Sequence, residues 1–380
     1  MNVLVLGAGF AGLAAALAAR RAGAAVTVVH GGAGASSLYA GSVDGPPLPE
    51  AGPEATLLSE LAAALGLRLS PKALVATREG VLRPSRGADS AVLDLAPLAG
   101  KCVGLVDVPR DDWDAPLLLR SFAESSWARS TGTRFELVPL DLLEKSSQRR
   151  VSPFDFAASF ERAERPAWLS EVLKSHAGPD AWLFGPWLGV KRDLARELSA
   201  SSGVPVGEVT SPPGGVAGAR FDNRRDALLA RLEAEVVAGR ALEVRQAAGS
   251  VGLVLEGGRE LAADALVMAA GGFVSGAIRL GGALSGAEPA GFELALGGLP
   301  ALQARGDLVE PVSSLFGVDL AARGRQVLEH AGLAVSGPGQ VSGAARVFAA
   351  GDLIAPAPPS VGHALRSGLR AGAAAAAFGS

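Results

Sequence analysis

The chain has 380 residues, 49% of them apolar and 19% charged, with 35 basic against 38 acidic side chains. At about 150 residues per domain this is one large domain or two, with core enough to bury roughly three quarters of the unfolded surface. The near-balance of charge excludes a polybasic binder of nucleic acid or lipid as the default reading, and 5% aromatics leave the core to Ala, Leu and Val.

In chain order, Val3–Leu6 suits a short buried parallel strand. A Gly-rich turn follows, then a helix over Leu13–Arg21 that Gly23 can end, then a second buried strand, Ala25–Val29. Residues 31–56 read as a long Gly/Ser/Pro loop and Pro53–Leu65 as a helix, with strand-like pieces at Leu74–Thr77 and Val81–Pro84. From Cys102 the pattern changes. Strands are predicted at Cys102–Val106, Phe135–Pro139, Ala181–Phe184 and Val204–Val209, with helices at Ala115–Arg129, near 153–164 and 167–176, and at Asp193–Ser201. Residues 88–213 are therefore read as an inserted α/β domain, a substrate cap or an interface, which Pro212-Pro213-Gly214-Gly215 closes. Residues 1–87 and 214–380 form the other, discontinuous domain. In it Arg224–Val237 predicts a long amphipathic helix, and Leu242–Val244 with Val251–Leu255 a hairpin or meander. Ala265–Ala269 and Ala344–Ala349 predict buried strands, and a final helix runs from about Val361 to Phe378.

The single cysteine, Cys102, allows no internal disulfide and no cysteine-ligated iron–sulfur cluster or zinc site from this chain alone. Histidines at 30, 176, 330 and 363 keep no metal spacing, so no metal site is expected. The uncharged stretch 3–19 mimics a signal peptide, but no basic segment precedes it and Arg20 and Arg21 follow it, the wrong order. The Ala-rich tail at 371–378 is too short to span a bilayer. These features predict a soluble, cytoplasmic protein.

Gly7-Ala8-Gly9-Phe10-Ala11-Gly12 is G-x-G-x-x-G between a strand and a helix within a βαβ unit of about thirty residues. Gly7 allows the tight turn, Gly9 the approach of a pyrophosphate, and Gly12 the packing of helix on strand, while the helix N-terminus offers free N–H groups and partial positive charge. The alternative is a Gly-rich turn without a ligand. An acid is expected about twenty residues on, at the end of the second strand, to bind ribose hydroxyls. His30 stands there instead, so the cofactor is FAD or, lacking the adenosine half, FMN.

Two later segments add to this. Strand Ala265–Ala269 runs into Ala270-Gly271-Gly272, and Val347-Phe348-Ala349-Ala350 into Gly351-Asp352, just before the last helix. They resemble the returns to the cofactor in two-dinucleotide-fold flavoproteins, where such an Asp accepts hydrogen bonds from the ribityl chain. A dehydrogenase that binds only NAD has no need of the second element. Pro358-Pro359-Ser360-Val361-Gly362-His363-Ala364-Leu365-Arg366 opens the final helix. In the resembled flavoproteins this helix N-terminus faces the flavin pyrimidine end. His363 and Arg366 share one helix face. Either they line the flavin or substrate pocket, as the catalytic candidates, or they are solvated surface groups.

The whole chain resembles the second of the three subunits of anaerobic glycerol-3-phosphate dehydrogenase, a flavoprotein of the fumarate-reductase-like FAD-binding class. The resemblance rests on Gly7–Gly12, Ser36-Ser37 through Gly41-Ser42-Val43-Asp44, Lys101–Val106, Phe221–Leu232, Ala265–Ala277, Gly306-Asp307, Phe316-Gly317-Val318 and Val347–Asp352. It implies an α/β two-dinucleotide-binding fold, a Rossmann-like βαβ FAD domain carrying the inserted domain. It also implies a loop of Ser36, Ser37, Gly41 and Ser42 that passes under the flavin, a sister flavoprotein, and an iron–sulfur subunit leading to the membrane quinone pool. Association with the inner membrane would then be peripheral, through partners. The chain departs from the family in being short and in having Pro356–Gly362 where a Cys-containing Gly-rich stretch is usual.

Of the remaining charges, Lys191-Arg192-Asp193 before a helix could hold a substrate phosphate or be a solvated helix start, and Arg149-Arg150 and Arg224-Arg225 read as surface. Trp182 and Trp187 read as core or interface. The expected function is a flavin-dependent dehydrogenase that passes electrons from glycerol 3-phosphate, or a similar small alcohol, to a partner subunit. The alternative is a non-catalytic flavin-binding or scaffold subunit of an electron-transfer complex.

Overall fold

The computed structural model describes residues 1–176, 178–281, 291–298, 331–355, 357 and 359–378. Gly306-Asp307, Phe316–Val318 and His330, and within Pro356–Gly362 the residues Pro356 and Pro358, lie outside them. The chain divides into two compact units: Met1–Ser36 with Gly45–Leu61 and Arg225–Ser380, and Ser37–Asp44 with Ala62–Arg224.

The first unit is built on β1 (Asn2–Leu6), α1 (Phe10–Arg21) and β2 (Ala25–His30), the βαβ unit that the hydrophobic runs predict. Next to them lie β3 (Glu235–Ala238), β4 (Ala265–Met268) and β5 (Val347–Ala349), giving the parallel order β5-β4-β1-β2-β3 within an eight-stranded sheet. Short pieces at Leu333–Ser336, Gln340–Val341 and Ile354–Ala355 extend the β5 edge. Successive side chains on a strand face opposite ways. Leu4, Leu6, Leu266, Met268, Val347 and Ala349 pack with Val244, Val251, Leu253 and Leu255 of a three-stranded antiparallel sheet. The intervening Val3, Val5, Val267 and Phe348, also buried, turn to the other face, where α1 and the final helix, α2 (Val361–Ala377), pack on each other and on the strands.

The register sets the place of the site. Leu6 pairs with Met268 and with Val29, and Met268 pairs with Ala349. Strands far apart in sequence thus end level, and the chain leaving each of them emerges at one sheet edge.

The second unit holds a four-stranded parallel sheet in the order Arg134–Pro139, Cys102–Asp107, Ala181–Phe184, Val206–Glu208, with helices between the strands. Its core is where the chain spends its aromatics: Trp113, Phe156, Phe160, Trp182, Phe184 and Trp187 are all buried, and Trp187 meets Trp113 and Phe156 edge-on. Leu67–Ala76 and Leu82–Asp89 form a hairpin longer than the two strand-like pieces predicted there.

Local order differs from the sequence expectation in four further places. The Arg224–Val237 helix is instead a helix over Val216–Arg231 followed by β3. Glu233, at φ 51°, takes the left-handed conformation that ends the turn, and Val236-Val237 then lies along β2. Ala115–Arg129 breaks after Ala123, and Ser125 starts a new helix by accepting from the Ala128 amide. The 31–56 loop contains a short 3₁₀ turn at Ala35–Leu38 and yields to a helix at Gly52. Of Ala344–Ala349 only Val347–Ala349 is strand.

Candidate functional site

The site lies in the first unit, at the edge where β1, β2, β4 and β5 end. Gly7, leaving β1, donates to the Val29 carbonyl at 2.8 Å and sits at φ 109°, a conformation open to glycine. A β-carbon at Gly7 would overlap the Ala269 carbonyl, and one at Gly12 would overlap that of Gly7. The turn is therefore pressed between β4 and the first turn of α1, as the G-x-G-x-x-G reading requires. Ala8, Phe10 and Ala11 are buried in it.

Gly9 caps α1 with no side-chain hydrogen bond, and no acidic residue occupies the first turn. Its amides keep their partial positive charge. The Ser36 hydroxyl reaches this end and accepts from the Phe10 amide at 3.1 Å. His30 ends β2, its carbonyl accepting from Gly239 at 3.1 Å and its Nδ1 from the Gly32 amide at 3.4 Å.

Ala270, Gly271 and Gly272 follow β4, and Gly351-Asp352 follows β5. The Ala350 amide donates to the Met268 carbonyl at 2.9 Å, and a β-carbon at Gly272 would stand 3.1 Å from that of Asp352. Gly351, at φ 71°, turns the chain against Ala11 of α1, and its amide donates to Ser367 of α2 at 2.9 Å. Among the described residues the Asp352 carboxylate has no hydrogen bond or ion pair. Burial alone acts on it and raises its pKa.

Gly362, His363 and Ala364 form the first turn of α2. The Ser360 hydroxyl caps this turn by accepting from the His363 amide at 3.2 Å. The His363 ring leans on the backbone of Gly351, and its Nε2 is buried without a well-formed hydrogen bond among the described residues. Burial lowers its pKa, which the Gly351 backbone partly offsets and Arg366 lowers further. The Arg366 guanidinium donates to the Pro47 carbonyl at 3.0 Å and lies 3.7 Å from Glu54. His363 is thus partly buried at the site, while the charge of Arg366 is taken up by neighbours. Sequence reasoning named Ser360 in the run that opens the helix without assigning its cap, and missed Ser367 and Glu54. Ser360, a serine directly before an apolar helix, carries the signal that could have found it.

Ser37, Gly41 and Ser42 belong to the second unit. Ser37 donates to Asp222 at 2.9 Å, the Gly41 carbonyl accepts from the Asp89 amide at 2.9 Å, and the Ser42 hydroxyl engages Asp44 and Arg83. The amides of Val190, Lys191 and Arg192 all donate to Glu161 Oε1, at 2.7, 2.6 and 2.7 Å, and the Arg192 guanidinium pairs with Glu197. That anion cradle is filled by the chain's own carboxylate. Arg224 is not a free surface group: it pairs with the buried Asp89 at 2.6 Å. Arg149 and Arg150 are surface groups paired with Asp111. Among the described residues no group of His, Cys, Asp and Glu could hold a metal ion, and no helix is long and apolar enough to cross a membrane.

Residues 2–65 match the family model of an FAD binding domain. No curated protein matches the sequence significantly. Among solved structures the chain is similar to that of FqzB, at 14% identity over 71% of this chain and 36% of that one, TM-score 0.27. It is similar to 3-ketosteroid Δ1-dehydrogenase from Sterolibacterium denitrificans, at 16% identity over 71% and 47%, TM-score 0.30. An oxidoreductase from Agrobacterium tumefaciens matches at 14% identity over 98% and 96%, TM-score 0.25. The chain thus spans less than half the length of the first two.

The residues at the sheet edge fit the cofactor that the family model names. The amide end of α1 and the glycine turn suit a diphosphate, the unpaired Asp352 carboxylate suits the hydroxyls of a ribityl chain, and the buried Nε2 of His363 lacks the partner that a bound ring can supply. The fold is α/β, with a Rossmann-like FAD-binding domain beginning at β1, and the cofactor is FAD.

Proposed function

We propose that the chain is a flavin-dependent oxidoreductase, a dehydrogenase component resembling the second subunit of anaerobic glycerol-3-phosphate dehydrogenase. It takes electrons from glycerol 3-phosphate or a similar small alcohol and passes them to a partner. One observation carries this reading: four segments from distant parts of the sequence, Gly7–Gly12, His30, Ala270–Gly272 and Gly351-Asp352, leave parallel strands at one sheet edge. In open α/β sheets, ligands bind outside the carboxyl ends of the strands.

Gly7, Gly9 and Gly12 with the amide end of α1 hold the diphosphate, and Ser36 closes that end. His30 takes the place of the ribose-binding acid. Asp352 accepts from the ribityl hydroxyls, with Ala270, Gly271 and Gly272 beside it, and Gly362, His363 and Ala364 border the ring. When bound, FAD supplies an acceptor for hydride from a substrate carbon. The residues numbered 88–213 carry the substrate cap or the partner interface. An iron–sulfur cluster taking the electrons onward belongs to a partner, since one cysteine cannot ligate it.

A second reading, a non-catalytic flavin-binding subunit, has its own support. The cationic loop at Lys191–Asp193, offered by the sequence for a substrate phosphate, is occupied by Glu161 and Glu197. Purified chain reconstituted with FAD separates the readings. A flavin spectrum that bleaches anaerobically with glycerol 3-phosphate or another small alcohol supports the dehydrogenase. A stable yellow complex that no small alcohol bleaches supports the second reading. Colourless protein after reconstitution overturns both.

A further inference from the structure

We propose that His363 is the proton-holding residue of this site, and that it takes up one proton for every two electrons that FAD receives. The inference rests on the functional reading above and deepens it by naming the residue that receives the proton an alcohol must shed together with a hydride.

The geometry points to His363 alone. It lies in the first turn of α2, fixed by the Ser360 cap on its own amide and by Ser367, whose hydroxyl donates to the His363 carbonyl at 2.7 Å. Its ring rests on the backbone of Gly351, next to Asp352. Its Nε2 is buried without a well-formed hydrogen bond among the described residues, an unfavourable state that a polar atom of a ligand relieves. Among the described residues the charged groups around it are few. Arg366 and Arg370 on α2 are both engaged by Glu54 of the helix Gly52–Ala64, and Asp352 lies on the turn after β5. α1 places its arginines, Arg20 and Arg21, at its far end, and β1, β4 and β5 carry no charge. Burial favours the neutral imidazole, and in the tautomer protonated at Nδ1 the buried Nε2 offers a lone pair for a proton.

An alcohol R₂CHOH becomes R₂C=O; its C–H hydrogen leaves with the bonding pair as hydride to the flavin ring, and its O–H proton goes to Nε2. With FAD bound, the first turn of α2 would hold the ring and its partial positive charge would favour the negative charge that hydride transfer brings, while the imidazole would carry one positive charge. The opposite charge raises the imidazole's proton affinity and keeps the proton there.

The test needs no substrate. Full-length chain loaded with FAD is titrated anaerobically against indicator dyes between about pH 6.5 and 8. For a two-electron couple a tenfold change is about 30 mV. One proton on the ring and one on His363 give the wild type a slope of about 60 mV per pH unit, and His363→Gln, which cannot titrate, about 30 mV. Equal slopes in the two proteins overturn the proposal. Proton uptake by the wild type alone, followed with a pH indicator during photoreduction, gives a second measure should the variant not take up FAD. Two protons per FAD support the role, and one overturns it. Wild type that binds no FAD overturns the functional reading and this inference together, whereas a bound flavin with equal slopes overturns the inference alone.

Discussion

Asp352 shows what one side chain at this sheet edge does with no hydrogen bond or ion pair among the described residues. Burial raises its pKa from 3.8, so between that value and the raised one the folded chain holds more protons than the unfolded chain. Stability without FAD therefore falls as pH rises through that window. Asp352→Asn removes the effect: thermal melts at pH 7 should show the FAD-free variant more stable than wild type. FAD affinity should fall by roughly 10- to 150-fold, the cost of losing hydrogen bonds to a charged acceptor. Gly9 acts by absence. A β-carbon there would stand 2.7 Å from the Ser36 hydroxyl, at the end of α1 proposed to hold the diphosphate. Gly9→Val should abolish FAD binding in a fluorescence titration while leaving the circular dichroism of the fold. Full flavin occupancy in that variant would remove the diphosphate role of the turn. Both residues were legible in the sequence, because a glycine turn between strand and helix and a Gly-Asp after a strand carry their geometry locally. The Ser360 cap, a local serine-before-helix signal, was legible but not read as a cap, whereas the Ser367 bracket was not legible, since its hydroxyl gains its role from the distant Gly351 amide.

At the scale of elements, α1 and α2 touch more closely than leucine-lined helices can. Gly368 and Gly372 of α2 face α1 so tightly that a β-carbon on either would overlap the carbonyl of Ala11 or Ala15. The alanine run of α1 serves the same approach: Ala11, Ala14 and Ala15 are buried with side chains small enough to admit a backbone. Gly372→Ala adds one methyl where none fits and should destabilise the chain by about 1–3 kcal/mol in urea denaturation. Flavin content should drop with it, because α2 also carries the His363 turn. An unchanged denaturation midpoint would contradict the packing. The sequence expectation of a core built from Ala, Leu and Val is consistent with this packing, but which helix meets which is a long-range fact. The Val216–Arg231 helix illustrates the opposite failure. Its amphipathic pattern runs into Val236-Val237, and the left-handed turn at Glu233 that separates helix from strand leaves no trace in hydrophobic periodicity.

At the scale of the molecule, the second unit is held by a charge network in its interior. Arg220 is buried, bonded to Glu208 at 2.6 Å and to Asp89 at 3.1 Å, and donates to the Gly189 carbonyl at 2.8 Å. Burial pushes the Asp89 carboxyl up, but Arg220 and Arg224 outweigh it and hold its pKa below 3.8, whereas burial dominates at Glu208 and raises it. Asp89 thus contributes stability above pH 3.8 that is lost as the pH falls through its folded value. Arg220→Ala leaves the buried Glu208 carboxylate without its cation and Asp89 with Arg224 alone, and should cost about 3–5 kcal/mol, read from denaturation at pH 7. The acid transition should begin at higher pH than in wild type. The proposed FAD site belongs to the other unit. There, FAD at a hundred times its Kd should add about 2.7 kcal/mol to the unit that binds it.

By itself the sequence determined the βαβ start, the parallel strands, the glycine turn and the recurring strand-to-glycine ends, because each depends on a few neighbouring residues: apolar runs of strand length and glycines where a side chain would collide. It also determined that any iron–sulfur chemistry must come from elsewhere, a matter of counting cysteines. Only the tertiary structure decided that Gly7, Gly272, Asp352 and His363 belong to one edge, since strand register over hundreds of residues is set by the packing of the sheet's two faces. Only it decided the fate of the charges. Lys191–Asp193 and Arg224 look alike as sequence, yet Glu161 fills the amide cradle of the first and Asp89 buries the second. A charge's role follows from its partner in space, and that partner comes from the other end of a fold.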